Sequence, residues 1–402
     1  MNSRERVQAV INHKIPNCVP NGLGGCETEG LHVLSYYKLQ ELLGISDAPP
    51  KICTFMTNAV FETEMIAKMQ GDIILLASPR MCKSAYRGDG VENLWKEQIL
   101  WDKKFLVSVN DKFTHRDDGN IVWDTAGGSV CPKGGWFFDW LGTTDFFADF
   151  ADVSPDDYNF AMDLPEKMLR NLEDTAKQIY NESELSVCLG ETISDLQVQP
   201  GGTVASMILM KERPDIMKEI LDKAVKASLS QLRQLDQAVG KYVDILSIAH
   251  DLGDNRSVLI GDNLWREIYK PAYSELFQNW KKITKMKINF HSCGSIYGIL
   301  GDLAECGADI INPVQISAKN MSPEKLKSEF GDKLIFWGGA YDAQLFTPDT
   351  SYGEVYSGVA ENIKTLKSNG GYIFSGVHNL SPDIPVQHLK ATLDAWQDNK
   401  YY

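Results

Sequence analysis

The stretch KINFHSCGSIYGIL, residues 287–300, places His291 and Cys293 two positions apart at the end of a short β-like run. In a strand, residues i and i+2 project to the same face, so an imidazole and a thiolate can point toward one site. Zinc accepts both ligand types, and a catalytic zinc keeps its fourth position for substrate or water. The spacing therefore favours part of a zinc site, and a core histidine beside a buried thiol is the alternative.

A third protein ligand is needed, and His378 is the best candidate for it. It closes another short apolar run, YIFSGVHN, and stands before Asn379 and the turn SPDIP. As the fifth and eighth of eight predicted strands, the two runs are not neighbours, so His378 must lean across the site or be carried on a loop. The sequence predicts zinc bound by His291, Cys293 and His378.

Other polar residues also follow apolar runs and are candidates for chemistry. Asp251, in IAHDLGDN, is predicted to orient substrate or to support a ligand, and helix capping is the alternative. Glu191 and Gln315 are candidates to complete the metal shell, and we take Glu191 with Asp251 as the catalytic pair, although such residues commonly cap helices. Cys26 has no basic neighbour in sequence that would lower its pKa, which favours a buried structural thiol.

The apolar runs are rich in Ile, Val and Phe, and they alternate with longer helical patterns. Strand, helix, strand repeats imply parallel pairing with right-handed crossovers, and eight such units fit a closed TIM (β/α)8 barrel. Functional residues are then expected at the C-terminal ends of the strands. The eight predicted strands are 18–25, 71–78, 185–191, 243–251, 287–294, 308–315, 334–340 and 372–379.

The remaining segments are predicted to surround this barrel within one domain, 1–402. Helices are expected at the N-terminus and, among others, over 213–240, 263–285 and 353–371, the last with a glycine C-cap. The surplus length lies in 79–160, where short alternating runs and the turns RDDGN and KGG predict β-hairpins inserted after the second strand. The acidic, aromatic end of that insertion is predicted to be a lid-like or surface segment. The aromatic residues that could cover a flat ligand, or only pack the insertion, are Trp136, Phe137, Phe138, Trp140, Phe146 and Phe147.

Composition narrows the classes of function. The 402 residues include 54 acidic and 40 basic side chains, a net charge of −14, which disfavours nucleic acid and anionic membranes as partners. We find no apolar run near the length of a membrane span or signal sequence, so a cytoplasmic location is expected. The eight cysteines contain no CxxC pair and are scattered, which favours reduced thiols over a disulfide framework.

Several motifs together resemble the uroporphyrinogen decarboxylase superfamily. They are HSCGS followed by LAECGADIINPVQ, the strand IFWGGA, and the closing GGYIFSGVHNLSPDIPVQHLKA. The likeness runs along the chain and is strongest over 240–395. It implies a TIM barrel, and its two best-known branches are porphyrinogen decarboxylases and zinc-dependent methyltransferases that work with corrinoid-bound methyl groups.

The early loop NGLGGCETEGLHVLSYYK disfavours the decarboxylase branch. A true decarboxylase must hold a substrate with many carboxylates, and the family motif places a pair of arginines in this loop. Here the loop has no arginine, and it carries Glu27 and Glu29. The negative charge of these two glutamates would repel a substrate with many carboxylates.

The methyltransferase branch carries its zinc on an HxC pair and a later cysteine, so the resemblance implies that His291 and Cys293 are ligands. His378 stands where the later cysteine is expected. The resemblance also implies transfer of a methyl group between a small substrate and a corrinoid (cobalamin) carrier, supplied by a partner protein because no segment resembles a cobalamin-binding domain. A decarboxylase or lyase acting on a less acidic substrate, and a non-catalytic barrel that binds a small molecule, are the alternatives.

Overall fold

The computed structural model describes residues 1–45, 48–76, 95–126, 128–139, 153–194 and 196–402. The strands are β1 (Ile52–Cys53), β2 (Asn58–Ala59), β3 (Ile73–Leu76), β4 (Trp95–Leu100), β5 (Lys103–Ser108), β6 (Phe113–His115), β7 (Ile121–Trp123), β8 (Ser129–Cys131), β9 (Ser186–Leu189), β10 (Ile245–Ala249), β11 (Lys287–His291), β12 (Ile310–Asn312), β13 (Ile335–Trp337) and β14 (Tyr372–Ile373). The helices are α1 (Ser3–Ile11), α2 (Val33–Leu43), α3 (Thr63–Lys68), α4 (Glu166–Glu182), α5 (Thr203–Glu212), α6 (Pro214–Val239), α7 (Asp262–Ile283), α8 (Tyr297–Cys306), α9 (Pro323–Phe330), α10 (Tyr352–Lys367) and α11 (Val386–Asn399).

Seven parallel strands form one curled sheet in the order β3, β9, β10, β11, β12, β13, β14. Residues 20–22 connect its two edges. The amide of Gly22 donates to the carbonyl of Phe374 beyond β14 (2.8 Å), and the amide of Asp72 before β3 donates to the carbonyl of Asn21 (2.8 Å). Seven of the predicted strands occur in order in the sheet, and the predicted first strand is represented by one isolated parallel bridge between Asn21 and Phe374. The TIM-barrel prediction is confirmed.

The inside of the barrel is apolar at its N-terminal end. The strands are short and buried on both faces, as expected for parallel strands covered by helices. Inward side chains form one buried cluster that includes Ile73, Ile245, Ile310, Ile335 and Ile373. Val7, Val10 and Ile11 of α1 belong to the same cluster, so the predicted N-terminal helix closes this end of the barrel. The end at which functional residues of TIM barrels lie is the opposite mouth.

The helices follow the predicted pattern with small differences at their ends. The segments predicted over 213–240 and 263–285 are α6 and α7, whose apolar stripes pack in the main core outside the sheet. The prediction for 353–371 is wrong at its C-terminus, because α10 ends at Lys367 and its C-cap is Ser368. The glycines that follow, at 370 and 371, have φ angles of +82° and +66° and turn the chain toward β14.

The insertion after β3 contains the predicted antiparallel pairs. Strands β4 and β5 form one pair, and β6, β7 and β8 form a three-stranded sheet. The turn RDDGN joins β6 to β7, with Gly119 at φ +87°. Residues 77–94 and 140–152, which include most of the lid-like segment and Trp140, Phe146 and Phe147, lie outside the described residues.

Two further sequence expectations can be compared with this fold. None of the helices within the described ranges is long and apolar enough to cross a membrane. The seven cysteines placed by the structure are free thiols, and five of them are buried. The absence of disulfides among these residues agrees with the expectation of reduced thiols.

Candidate metal centre at the barrel mouth

The structure brings the three predicted ligands together at the C-terminal mouth of the barrel. One ligand atom from each of His291, Cys293 and His378 lies within 4.8 Å of the others. The two imidazole rings are 5.3 Å apart between centroids. Among the residues that the structure describes, this is the one group of three or more histidine, cysteine or acidic side chains close enough to share a metal ion.

The distance between the two ligand atoms at the end of β11 suits a tetrahedral zinc ion. Bond lengths of about 2.3 Å to sulfur and about 2.05 Å to nitrogen, at a tetrahedral angle, place the two ligand atoms about 3.6 Å apart. The distance from Cys293 Sγ to His291 Nε2 is 3.6 Å. Two imidazoles and a thiolate are also a donor set that zinc accepts, and they leave a fourth position open. The residues present therefore fit the ion.

Neighbouring loops clamp the end of β11 that carries His291 and Cys293. The amide of Cys293 donates to the carboxylate of Asp251 (3.0 Å), and the amide of Gly294 donates to the side-chain oxygen of Gln315 (2.8 Å). Gly294 has φ +81°, and a β-carbon there would lie 2.5 Å from the backbone of Gly253. Glycine is thus required for this close approach. The strand-end loop is held from both sides.

His378 is positioned by a loop. It follows β14 with φ +64°, a left-handed conformation that is uncommon for residues other than glycine. Backbone bonds on either side hold this loop, from the amide of Val377 to the carbonyl of Tyr341 (2.7 Å) and from the amide of Leu380 to the carbonyl of Gly30 (3.0 Å). The turn directs the ring toward His291. A residue on the loop after β14 can therefore reach the end of β11, although these two strands are not neighbours in the sheet.

The protonation of the ligands follows from their burial. Burial, followed by the nearby His291, lowers the pKa of His378 to about 4. Burial also lowers the pKa of His291. Both imidazoles are therefore neutral near pH 7, as metal ligation requires. Burial, followed by the negative charge of Asp251, raises the pKa of Cys293 to about 12, so this thiol retains its proton unless a cation stabilises the thiolate.

Asp251 adjoins the metal centre, and Glu191 does not join it. An oxygen of Asp251 lies 3.7 Å from His291 Nε2, and the side chain is 56% exposed toward the mouth. This carboxylate can thus contact both the ligand loop and a bound molecule. Glu191 follows β9, and its amide donates to the carboxylate of Glu27 (3.0 Å). A catalytic role for either acid stays a prediction.

Two other strand-end residues have structural roles. His250 lies beside His291 on the neighbouring strand, but its ring points out of the barrel toward α7, where Nδ1 and the hydroxyl of Tyr273 are 2.9 Å apart. Gln315 bridges two loops, since its side chain accepts a hydrogen bond from the amide of Gly294 and donates one to the side chain of Asn255 (2.7 Å).

Cys26 is buried, and burial raises its pKa well above the ordinary value, so it is an unreactive core thiol.

The early loop does not present both of its glutamates to a ligand, contrary to the sequence argument. Glu29 is fully buried, and its carboxylate oxygen accepts from the side chain of Asn312 (2.6 Å). Burial raises the pKa of Glu29 well above its ordinary value, which favours the uncharged form. Repulsion of a polyacidic substrate therefore cannot be assigned to Glu29, although the loop still lacks arginine.

Sequence reasoning missed Asn312, the residue that contacts His291 most closely. It ends β12, and its Oδ1 lies 2.7 Å from His291 Nδ1. One signal was available, because asparagine interrupts an otherwise apolar run, IINPV (310–314), at the end of a strand beside β11. A polar residue inside a buried parallel strand must find a partner, and the partner here is a metal-ligand candidate.

The described aromatic residues of the insertion pack against protein. Phe138 contacts the rings of Trp101 and Trp123 at centroid distances of 6.2 and 6.0 Å. Phe137 lies edge-on to His32 at 5.2 Å, and the carbonyl of Trp136 lies 2.9 Å from His32 Nε2. The packing interpretation fits Phe138, which is buried, whereas Phe137 is 45% exposed. The contacts of Trp136 and Phe137 with His32 join the insertion to the start of α2.

Comparisons with known proteins agree with this fold. Residues 200–398 match the family described as uroporphyrinogen decarboxylase (URO-D). A search of curated proteins finds no match. Among solved structures, a methyltransferase from Methanosarcina mazei superimposes with a TM-score of 0.57 at 14% identity, and the alignment covers 99% of each chain. At this identity the structural match supports the shared fold.

Proposed function

We propose that this protein, whose residues 200–398 belong to the uroporphyrinogen decarboxylase (URO-D) family, is a zinc-dependent methyltransferase that exchanges a methyl group between a small substrate and a corrinoid carried by a partner protein. The observation that carries the proposal is the convergence of His291, Cys293 and His378 within 4.8 Å at the mouth of the barrel. Catalytic residues of TIM barrels lie at this end of the strands.

The three side chains would hold the zinc ion and leave one position for the substrate. When bound, zinc supplies a Lewis acid that polarises the heteroatom to which the methyl group is attached or transferred. The clamped loop of Cys293 and the left-handed turn of His378 fix the ligand positions before substrate arrives. Asp251, whose carboxylate lies 3.7 Å from His291 Nε2, would orient the bound molecule.

The donor set favours a particular class of substrate. Two neutral imidazoles and one thiolate leave a zinc site with a net charge of about +1, whereas one imidazole and two thiolates leave it neutral. The more positive site withdraws more charge from an incoming atom. We therefore propose that the reacting heteroatom is an ether or hydroxyl oxygen more readily than a thiol sulfur.

The choice of methyl transfer over decarboxylation rests on two further points. The early loop lacks arginine, which a substrate with many carboxylates would need. A protein named as a methyltransferase shares the fold along the whole chain. The metal, the corrinoid and the substrate class are parts of this proposal.

A corrinoid assay tests the activity. Purified zinc-loaded protein is mixed either with methyl ethers or methanol and a corrinoid reduced to Co(I), or with thiols and a methyl-Co(III) corrinoid. The corrinoid is free or bound to a corrinoid protein, and the absorption spectrum of the cobalt is followed. We expect methyl transfer with an oxygen compound, and no transfer in the Cys293→Ala variant. An unchanged cobalt spectrum with every donor and acceptor, in the presence of a cognate corrinoid protein, would contradict the proposal.

A second assay separates the decarboxylase alternative. The same preparation is incubated with uroporphyrinogen, and the products are separated by chromatography. We expect no coproporphyrinogen. Its formation at a rate that is unaffected by Cys293→Ala would assign the barrel to decarboxylation without the metal centre.

A further inference from the structure

Behind the candidate metal centre, a chain of buried hydrogen bonds runs from the early loop to His291. Glu29 accepts from Asn312 Nδ2 (2.6 Å), and Asn312 Oδ1 lies 2.7 Å from His291 Nδ1. The hydroxyl of Thr28 donates to the same Oδ1 (2.9 Å). Glu29 and Asn312 are fully buried. No exposed group takes part in this chain, so water does not replace its members.

The contacts of Asn312 decide which way its amide points. Its Nδ2 lies 3.3 Å from the carbonyl oxygen of Trp337, which can only accept a hydrogen bond. A reversed amide would place two acceptors against each other at this point. The nitrogen therefore faces Trp337 and Glu29, and the oxygen faces Thr28 and His291.

The amide orientation decides the tautomer of His291. Because Asn312 Oδ1 is an acceptor, Nδ1 of His291 must carry the proton and donate it. The proton-free nitrogen is then Nε2, the atom that lies 3.6 Å from the thiol of Cys293. We propose that Asn312, oriented by Glu29 and Thr28, is the positioning residue of the metal centre and presents the Nε2 lone pair of His291 to the ion.

This inference rests on the proposed metal centre, but its first step concerns the metal-free protein alone. Metal-ligating histidines commonly donate their second ring nitrogen to a carboxylate or carbonyl, and loss of that partner weakens metal binding. Here an asparagine takes that place, and a buried acid supports it from the opposite side of the barrel. The early loop thus contributes to the metal centre without touching the metal.

Two variants form a matched pair for the test. Asn312→Leu removes the acceptor for His291 Nδ1 at similar side-chain volume. Asn289→Leu makes the same change two residues before His291 on the same face of β11, where the amide donates to Ser247 (2.9 Å). Both variants lose one buried asparagine from the barrel interior, so a general loss of packing or stability affects both.

The first measurement is the 15N NMR spectrum of the histidine rings in metal-free protein, with His291 assigned by its absence in His291→Gln. We expect wild type and Asn289→Leu to show His291 protonated at Nδ1. Asn312→Leu should lose this preference. A wild-type His291 protonated at Nε2 would overturn the inference.

The second measurement is a titration with Co²⁺ and with Zn²⁺. We expect Asn312→Leu to bind about 10- to 100-fold more weakly than wild type, with a changed Co²⁺ absorption spectrum. Asn289→Leu should keep the wild-type affinity and spectrum. Equal affinities of the two leucine variants would overturn the inference.

Two further variants test the inference if Asn312→Leu does not fold. Asn312→Asp keeps an acceptor for His291 Nδ1, and Glu29→Gln keeps an acceptor for Asn312, so both should retain the Nδ1 tautomer. Loss of that tautomer in Asn312→Asp would contradict the assigned role. If wild type shows the Nδ1 tautomer but binds neither metal, the proposed function and the role of Asn312 in metal binding both fail, and only the tautomer assigned to His291 stands.

Discussion

The two strand ends that supply the candidate ligands are built differently. At the end of β11, His291 and Cys293 follow the two-residue repeat of the strand. Side chains from adjacent loops accept hydrogen bonds from the amides of Cys293 and Gly294. Beyond β14, His378 depends on a left-handed turn held by backbone bonds to other loops. His291 is therefore fixed by the strand and Cys293 by side-chain bonds to the loop that follows it, whereas the third ligand depends on a local backbone conformation.

The difference predicts that loss of a strand-end ligand has the largest effect. His291→Ala and Cys293→Ala should each weaken zinc binding by more than about 100-fold, since even outer partners of a ligand contribute roughly 10- to 100-fold. The barrel should stay folded because its core does not depend on the metal. A competition titration with a chromophoric chelator measures the affinity, and circular dichroism checks the fold. Unfolding of both variants would instead make the centre structural.

The clamp at the end of β11 can be tested at Gly294. Gly294→Ala should lower the free energy of unfolding by about 1–3 kcal/mol more than Gly261→Ala, because its β-carbon meets the backbone of Gly253 and Asp254. Gly261 is the control, with a similar φ of +75° and nothing within 4 Å of the added carbon. Urea denaturation of both variants gives the difference. Equal losses of unfolding free energy in the two variants would mean that the loops of Gly294 and Gly253 can move apart without loss of stability.

At the other strand end, removal of the ligand should have a smaller effect. His378→Ala should weaken zinc binding by about 100-fold, less than the loss of a strand-end ligand, because water can take the position of an imidazole that a loop supplies. His378→Cys should bind more tightly than His378→Ala, since cysteine is also a zinc ligand. The same chelator competition compares the three proteins. If His378→Ala binds as tightly as wild type, then His378 is not a ligand.

The smallest effect concerns the backbone at His378 itself. With φ at +64°, alanine is strained at this position and glycine is not. We expect His378→Gly to be about 0.5–1 kcal/mol more stable to urea than His378→Ala in the absence of metal. A less stable glycine variant would indicate that the turn is maintained by the side chain and not by the loops around it.

Much of the fold could be predicted because its signals are local. Short buried apolar runs, separated by amphipathic helical patterns, indicate a barrel of parallel strands from the sequence alone. The pair His291 and Cys293 follows from the same two-residue repeat. The same repeat explains why His250 does not join the site. Ser247 and Ala249 face the inside of the barrel, as His291 does, and His250 falls on the opposite face.

Other parts of the site could not be predicted, because they depend on contacts between distant segments. Glu29 and Asn312 are 283 positions apart, and only the closed barrel brings the early loop to β12. In the sequence, Glu29 is one more charge in an acidic loop, and its burial cannot be inferred from its neighbours. The left-handed turn at His378 is similarly set by its hydrogen bonds to other loops.

X-ray absorption at the zinc edge of purified, zinc-loaded protein tests the central claim most directly. We expect about one zinc ion per chain with one sulfur neighbour at about 2.3 Å and the remaining nitrogen or oxygen neighbours at about 2.0–2.1 Å. The sulfur signal should vanish in Cys293→Ala. A spectrum with no sulfur neighbour, or no stoichiometric zinc after metal loading, would contradict the assignment of His291, Cys293 and His378 as the metal centre.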